Sequence, residues 1–286
     1  MIKQLGLKEL LGEIELGTPH IDLPDLSDKV VLVIGASRPS GFGYNLGKVA
    51  LTECNANVIL TVSKQSRVKS IKRSGMDIDT NILDVTDNDS YHSLLEHIKS
   101  TYNKLDCVVV APAYLNPKYF STDKSWNDVS IEDQEECFEI SVNPVRKVAE
   151  TFGDLLSESR GCIYGVSFPL KDMPGYTIGH AKGELEYLVT DELAQDLKLK
   201  EVRANILSLG PFSSISSSVI PSEGLLNELY DKLNIRMLSL GEMCRESIST
   251  IANNKTGHIY HIDGGLNQSI SENVQLVKEI YDKYTA

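Results

Sequence analysis

Short apolar runs rich in β-branched residues recur along the chain, separated by segments whose apolar residues fall three or four apart. The runs Lys29–Ile34, Asn57–Val62, Ile78–Leu83, Leu105–Ala111, Gly161–Ser167, Arg203–Leu209 and His258–Asp263 read as strands. Between them, Gly43–Cys54, Asn88–Tyr102, Ile131–Leu156 and Tyr176–Lys198 read as helices; in the second, Leu94, Leu95 and Ile98 share a face. The strands are apolar without alternation, which means burial on both sides. Such strands alternating with helices predict an α/β protein with a single doubly wound parallel sheet. Ligands of these sheets bind beyond the carboxyl ends of the strands. Residues 1–26 form an N-terminal extension, in which MIKQLGLKELLGEI has helical spacing, and 27–286 form one domain. No repeat or low-complexity stretch interrupts it.

Composition narrows the partners. A net charge of −12 over 286 residues argues against general binding to nucleic acid or to an anionic membrane, because like charges repel. No run approaches the ~20 apolar residues of a membrane helix, and the N-terminus lacks a signal-peptide core. The five cysteines (54, 107, 137, 162, 244) are odd in number and show no CxxC spacing, as expected of reduced thiols in a cytoplasmic protein. The six histidines show no metal-ligand pattern, so no metal is expected.

Chemistry begins at IGASRPSGFGYNLGK, residues 34–48. Glycines at 35, 41, 43 and 47 stand between a strand and a helix, where backbone N–H groups and a helix N-terminus can cradle a pyrophosphate. The spacing is not the ordinary GxGxxG. It resembles the loop of the short-chain dehydrogenase/reductase superfamily, in the longer form of the enoyl-acyl carrier protein reductases, where a serine sits near the turn as Ser40 does. NILSLGPF at 205–212, with Gly210 and Pro211, and HIDGG at 261–265 are similar to later signatures of the same superfamily. The resemblance covers residues 29–268 and implies a Rossmann-type fold and a nicotinamide dinucleotide held at Gly35, Ser37, Arg38, Ser40, Gly41 and Gly43. Asp84 and Val85 match the family position that contacts adenine. Ala111, followed by Pro112 and Ala113, replaces the usual Asn-Ala-Gly after the fourth strand.

NAD-selective sites usually place a carboxylate at the end of the second strand. Here Ser63, Lys64, Gln65, Ser66 and Arg67 follow instead, and with Arg38 they offer cations for a 2′-phosphate. NADPH is favoured, with NADH left open; the alternative is a solvated basic surface.

In this superfamily a tyrosine donates a proton to a carbonyl or enolate oxygen, and a lysine binds the nicotinamide ribose and lowers the tyrosine pKa. MPGYTIGHAKGELEYL places Lys182 at the lysine position. Four residues before it stands Ile178, and seven before it Gly175; Tyr176 is six away, a spacing that neither branch of the family uses. On one continuous helix Tyr176 and Lys182 would lie about 120° apart. They converge only if the helix begins after Tyr176, with Thr177 as a candidate cap. Resemblance makes Tyr176 the proton donor, Ser167 the residue that orients the substrate carbonyl, and Asn143 the organiser of a relay water at a helix interruption that Pro144 would kink. The substrate loop spans about 212–240, where Leu225, Leu226, Leu229, Leu233 and Met237 either line an acyl groove or pack the core.

These features imply a reductase acting on an enoyl or keto acyl substrate, free or carrier-bound. A ketoreductase or alcohol dehydrogenase of the same superfamily, and a non-catalytic dinucleotide-binding protein, stay open, the last favoured by Ile178. Family resemblance further implies a homodimer or homotetramer built on the Ile131–Leu156 and Tyr176–Lys198 helices.

Overall fold

The computed structural model describes residues 21–212 and 223–285; most of the N-terminal extension and the serine-rich start of the substrate loop lie outside the described residues. Seven strands form one sheet in the order β3-β2-β1-β4-β5-β6-β7, every pair parallel. They are β1 (Val30–Ile34), β2 (Asn57–Val62), β3 (Asp79–Ile82), β4 (Cys107–Val110), β5 (Cys162–Ser167), β6 (Arg203–Leu209) and β7 (Ile259–Ile262). The order reverses direction between β1 and β4, so a crevice opens at their carboxyl ends.

Both faces of the sheet are covered, which explains why its central strands β1 and β4 are wholly apolar, while the edge strand β3 (Asp79-Thr80-Asn81-Ile82) carries the polar positions. Val30, Leu32 and Ile34 point into one core with Tyr91, Ile98, Phe152 and Val189, while Val31 and Val33 point into the other with Leu46, Ile71, Met243 and Ile248. The alternation is of side, not of polarity. Helices α1 (Phe42–Thr52), α2 (Gln65–Arg73) and α9 (Leu240–Ile251) cover the second face. The first face is covered by α3 (Asn88–Thr101), α5 (Pro144–Ser159) and α6 (Gly179–Tyr187), with the π-helical turn Leu188–Leu193 and α7 (Ala194–Asp196) continuing α6. A third, smaller core joins α8 (Glu223–Leu233), α10 (Leu266–Glu272) and α11 (Val274–Thr285) to Leu170 and Met173.

Three elements differ from their sequence expectation. The long helix over Ile131–Leu156 is two helices, α4 (Ile131–Ser141) and α5, because Pro144 has no N–H to continue the ladder and takes the first turn of α5 instead. The basic run after β2, for which no element was expected, leads into the amphipathic α2, anchored by buried Val68 and Ile71. The helix expected from Tyr176 starts three residues later, at Gly179.

Candidate active site

A cleft of about 720 Å³ opens at the carboxyl ends of the strands. One end of it is made of backbone. Gly35 leaves β1 at φ +95°, a conformation that side chains rarely adopt, and a Cβ there would sit 3.0 Å from the Pro112 nitrogen. At Gly43 a Cβ would lie 3.0 Å from the Gly35 oxygen, and at Gly47 2.6 Å from a Leu60 methyl, so glycine lets α1 approach both the loop and β2. The chain therefore enters α1 at Gly41 with the first-turn N–H groups of an 11-residue helix directed at the cleft. The Ser63 N–H donates to the Ser37 hydroxyl (3.3 Å), tying the loop to the end of β2. This cradle fits a dinucleotide pyrophosphate: no side chain fills it, and substitution at any of its four glycines would crowd neighbouring atoms.

Of the residues expected to hold the cofactor, Gly35, Ser37, Arg38, Gly41, Gly43, Ser63, Lys64, Asp84, Val85, Ala111, Lys182, Gly210 and Pro211 line the cleft. Ser40 and Arg67 are exposed and stand outside its lining, Arg67 because α2 carries it away. Asp84 is held below the usual carboxylate range, chiefly by the Thr86 N–H (3.0 Å) and hydroxyl (2.7 Å). Gly210 passes so close to β7 that a Cβ would lie 2.9 Å from the Asp263 Cα. The buried Asp263 carboxylate of the HIDGG stretch accepts from the N–H groups of Gly265 (2.9 Å) and Asn267 (3.0 Å), so that stretch shapes a turn beneath the cleft.

The other end is made of side chains. Ser167, Tyr176 and Lys182 all line it. The turn Met173-Pro174-Gly175-Tyr176 closes with the Tyr176 N–H on the Met173 carbonyl (3.0 Å), Gly175 taking φ +79°. Only then does α6 start, with the Gly179 N–H on the Tyr176 carbonyl (2.8 Å). Tyr176 thus precedes the helix, which removes the angular conflict with Lys182. Thr177 does not cap the helix; its hydroxyl donates to the Tyr119 carbonyl (2.6 Å). Ile178, at the position of the ketoreductase tyrosine, is buried in the core.

Lys182 is 4% exposed, and its Nζ donates to the Val166 carbonyl at 2.8 Å. Burial pushes its pKa down to about 8, partly offset by Cys137 and Glu186. Tyr176 is half-buried, tilted against Phe168 at 4.7 Å between ring centroids, and burial raises its phenol above the ordinary value, with Cys137 and Glu186 adding to the effect. The Ser167 hydroxyl donates to Glu186 Oε1 (2.6 Å), whose other oxygen pairs with Lys171 (2.5 Å). Its proton is therefore engaged. Asn143 does not line the cleft, and its amide donates to Glu139 Oε2 (2.7 Å). Leu226 lines the cleft, whereas Leu225 and Leu229 pack the third core.

Glu186 and Lys171 were not among the expected site residues. Glu186 stands one helical turn after Lys182, an acidic group on the buried stripe of α6, and that misplacement was its only signal in the sequence. Among the described residues no His/Cys/Asp/Glu group could hold a metal ion.

This sheet order, with a lysine-bearing helix following β5 and a glycine cradle following β1, defines a protein of the short-chain dehydrogenase/reductase class. Residues 35–267 match the family model for enoyl-(acyl carrier protein) reductase, and the chain belongs to that family. Among its relatives, the NADH-dependent enoyl-acyl carrier protein reductase of Rickettsia typhi is 25% identical over 85% of this chain and 95% of its own length. That of Aquifex aeolicus is 24% identical over 90% of this chain and 98% of its own. A Bacillus cereus enoyl-acyl carrier protein reductase solved with NADP+ and indole naphthyridinone superposes with a TM-score of 0.76 at 21% identity, covering 84% of this chain and 96% of that one. An Anaplasma phagocytophilum counterpart solved with NAD gives 0.70 at 23% identity, covering 84% and 92%.

Proposed function

We propose that this protein reduces an enoyl or keto acyl substrate, free or carrier-bound, by hydride transfer from NADPH in preference to NADH. The observation that carries the reading is that one cleft gathers the glycine cradle, two free-ended cations and the Tyr176–Lys182 pair. The glycine loop would hold the pyrophosphate, Asp84 and Val85 the adenine, and Lys182 the nicotinamide ribose. Arg38 and Lys64 would meet a 2′-phosphate, and no carboxylate stands at the end of β2 to prefer a 2′-hydroxyl. When bound, the dinucleotide supplies the hydride.

The chain's own residues manage the proton. Burial keeps the Tyr176 phenol protonated at neutral pH, so it has a proton to give to a developing oxyanion. The ammonium of Lys182 stabilises the phenolate that remains. Ser167 orients a substrate carbonyl only by releasing its proton from Glu186, which makes Glu186 part of that step.

A panel of enoyl thioesters, ketoacyl thioesters and simple ketones, each with both reduced cofactors, tests the reading. Cofactor oxidation with enoyl or ketoacyl thioesters supports it. Turnover of ketones alone selects an alcohol dehydrogenase, and cofactor binding without turnover selects a non-catalytic binder. We further propose a homodimer or homotetramer using α4, α5 and α6, on which Ile131 (70% exposed) and Tyr187 (57%) present apolar surface. Light scattering at micromolar concentration checks this, and a stable monomer rejects it.

A further inference from the structure

Outside the cleft lining, a lysine connects three elements. Lys147, on the first turn of α5, directs its Nζ at the carbonyls of Val85 (3.3 Å) and Thr86 (3.2 Å) and at Glu139 Oε1 (2.5 Å). An ammonium has three protons, and all three are used. The second Glu139 oxygen accepts from Asn143 (2.7 Å), the residue at the break between α4 and α5. Burial disfavours the Glu139 charge, yet the bonds from Lys147 and Asn143 hold its carboxyl below the ordinary value. Lys147 is 17% exposed and Glu139 37%, so in this clip the ammonium is shielded from solvent while its partner is partly open to it.

Position gives the clip its meaning. β3 ends at Ile82, and the segment Asp84–Thr86 that follows forms part of the cleft wall, as does Ile140, the neighbour of Glu139. Beyond β3 this segment is secured by the Asp84 carboxylate, by Ser90 and by Lys147. Asp84 and Ser90 act from within the segment and its own following helix. Lys147 alone among these ties it to α5, and hence to the α4–α5 break.

We infer that Lys147, with Glu139 and Asn143, is a positioning clip that sets the Asp84–Thr86 segment for the adenosine end of the dinucleotide. The inference rests on the cofactor reading above. It gives Asn143 a concrete partner: its amide is committed to Glu139 and faces the clip. The clip also spans the break, since Glu139 belongs to α4 and Lys147 to α5.

The test is calorimetric titration of wild type, Lys147→Met, Lys147→Arg and Glu139→Gln with NADPH, ADP-ribose and nicotinamide mononucleotide, alongside steady-state kinetics. Lys147→Met should weaken NADPH and ADP-ribose about tenfold, the scale of one or two charge-assisted hydrogen bonds. Nicotinamide mononucleotide binding should not change. KM for the cofactor should rise with kcat preserved, and Lys147→Arg should restore most of the affinity. Glu139→Gln keeps the shape of the clip and should give a smaller loss of the same kind, which keeps the inference testable if Lys147→Met does not fold. Folded variants that bind all three ligands as wild type does overturn the clip while leaving the cofactor reading intact. A wild type that binds no dinucleotide overturns both.

Discussion

The two ends of the cleft solve different problems with different materials. At the glycine end, proposed to hold a pyrophosphate, the available groups are main-chain N–H groups, and the side chains' contribution is to be missing, at Gly35, Gly41 and Gly43. At the end proposed for catalysis the groups are side chains, half-buried Tyr176 and buried Lys182 and Ser167, whose protons and charges are set by burial and by Glu186. A backbone site depends on glycine spacing beside a strand and tolerates variation elsewhere. A side-chain site depends on where one helix begins, to within a single residue.

That contrast is most sharply tested at Tyr176. Tyr176→Phe should lower turnover by about 10²–10⁴-fold while leaving cofactor affinity nearly unchanged, since it removes only a proton donor. Lys182→Ala should lower both. Near-wild-type turnover in Tyr176→Phe would show that the product takes its proton elsewhere and would remove Tyr176 from the mechanism.

At the opposite end, Gly41→Val should weaken dinucleotide binding by about a hundredfold or more, by blocking approach to the helix N-terminus. The backbone there is extended, at φ −92°, so the variant should still fold. Circular dichroism and titration together check this; retained affinity in a folded variant would move the pyrophosphate elsewhere.

A third difference is in pH response. The cradle carries no titrating group, whereas Lys182 loses its proton as pH rises through about 8. Its depressed pKa means the ammonium is present below that value and lost above it. We expect kcat/KM to fall about tenfold per pH unit on the alkaline side, with the break near 8, a break that Lys182→Ala abolishes. The smallest effect concerns cofactor choice: NADPH should bind about tenfold more tightly than NADH, ~1.4 kcal/mol, and Lys64→Ser should narrow the gap. Equal affinities in wild type would reassign Lys64 and Arg38 to the solvated surface.

The same contrast explains what could be read from the sequence. Unbroken runs such as NVILTV and CIYGVS betrayed the parallel sheet because strands covered on both sides are mostly apolar, and all seven strand positions agree to within two residues at each end. The glycines betrayed the cradle because few other uses need them in that order. Tyr176 and Lys182 could be named, but that both line one cleft could not, since Tyr176 sits in a turn with Gly175 at φ +79° and α6 begins only at Gly179. Helix α2 escaped notice because only Val68 and Ile71 of its nine residues are buried. The bonds from Ser167 and Lys171 to Glu186 escaped because Glu186 lies 19 and 15 residues further along the chain.

Gly179 has one more consequence. A Cβ there would fall 1.8 Å from the Lys171 carbonyl oxygen, so the first residue of α6 rests flush against the preceding segment. The helix cannot slide toward its own N-terminus, and Lys182 is pinned at the far side by Val166. The interval from tyrosine to lysine is therefore clamped at both ends. An extra residue inserted to restore the longer family spacing would have to leave as a bulge toward the groove lined by Trp126 and His180, where Tyr176 also has a face. The shortened interval is thus a matched part of this molecule, and the tolerance for length lies on the outer side of the tyrosine, away from the cleft.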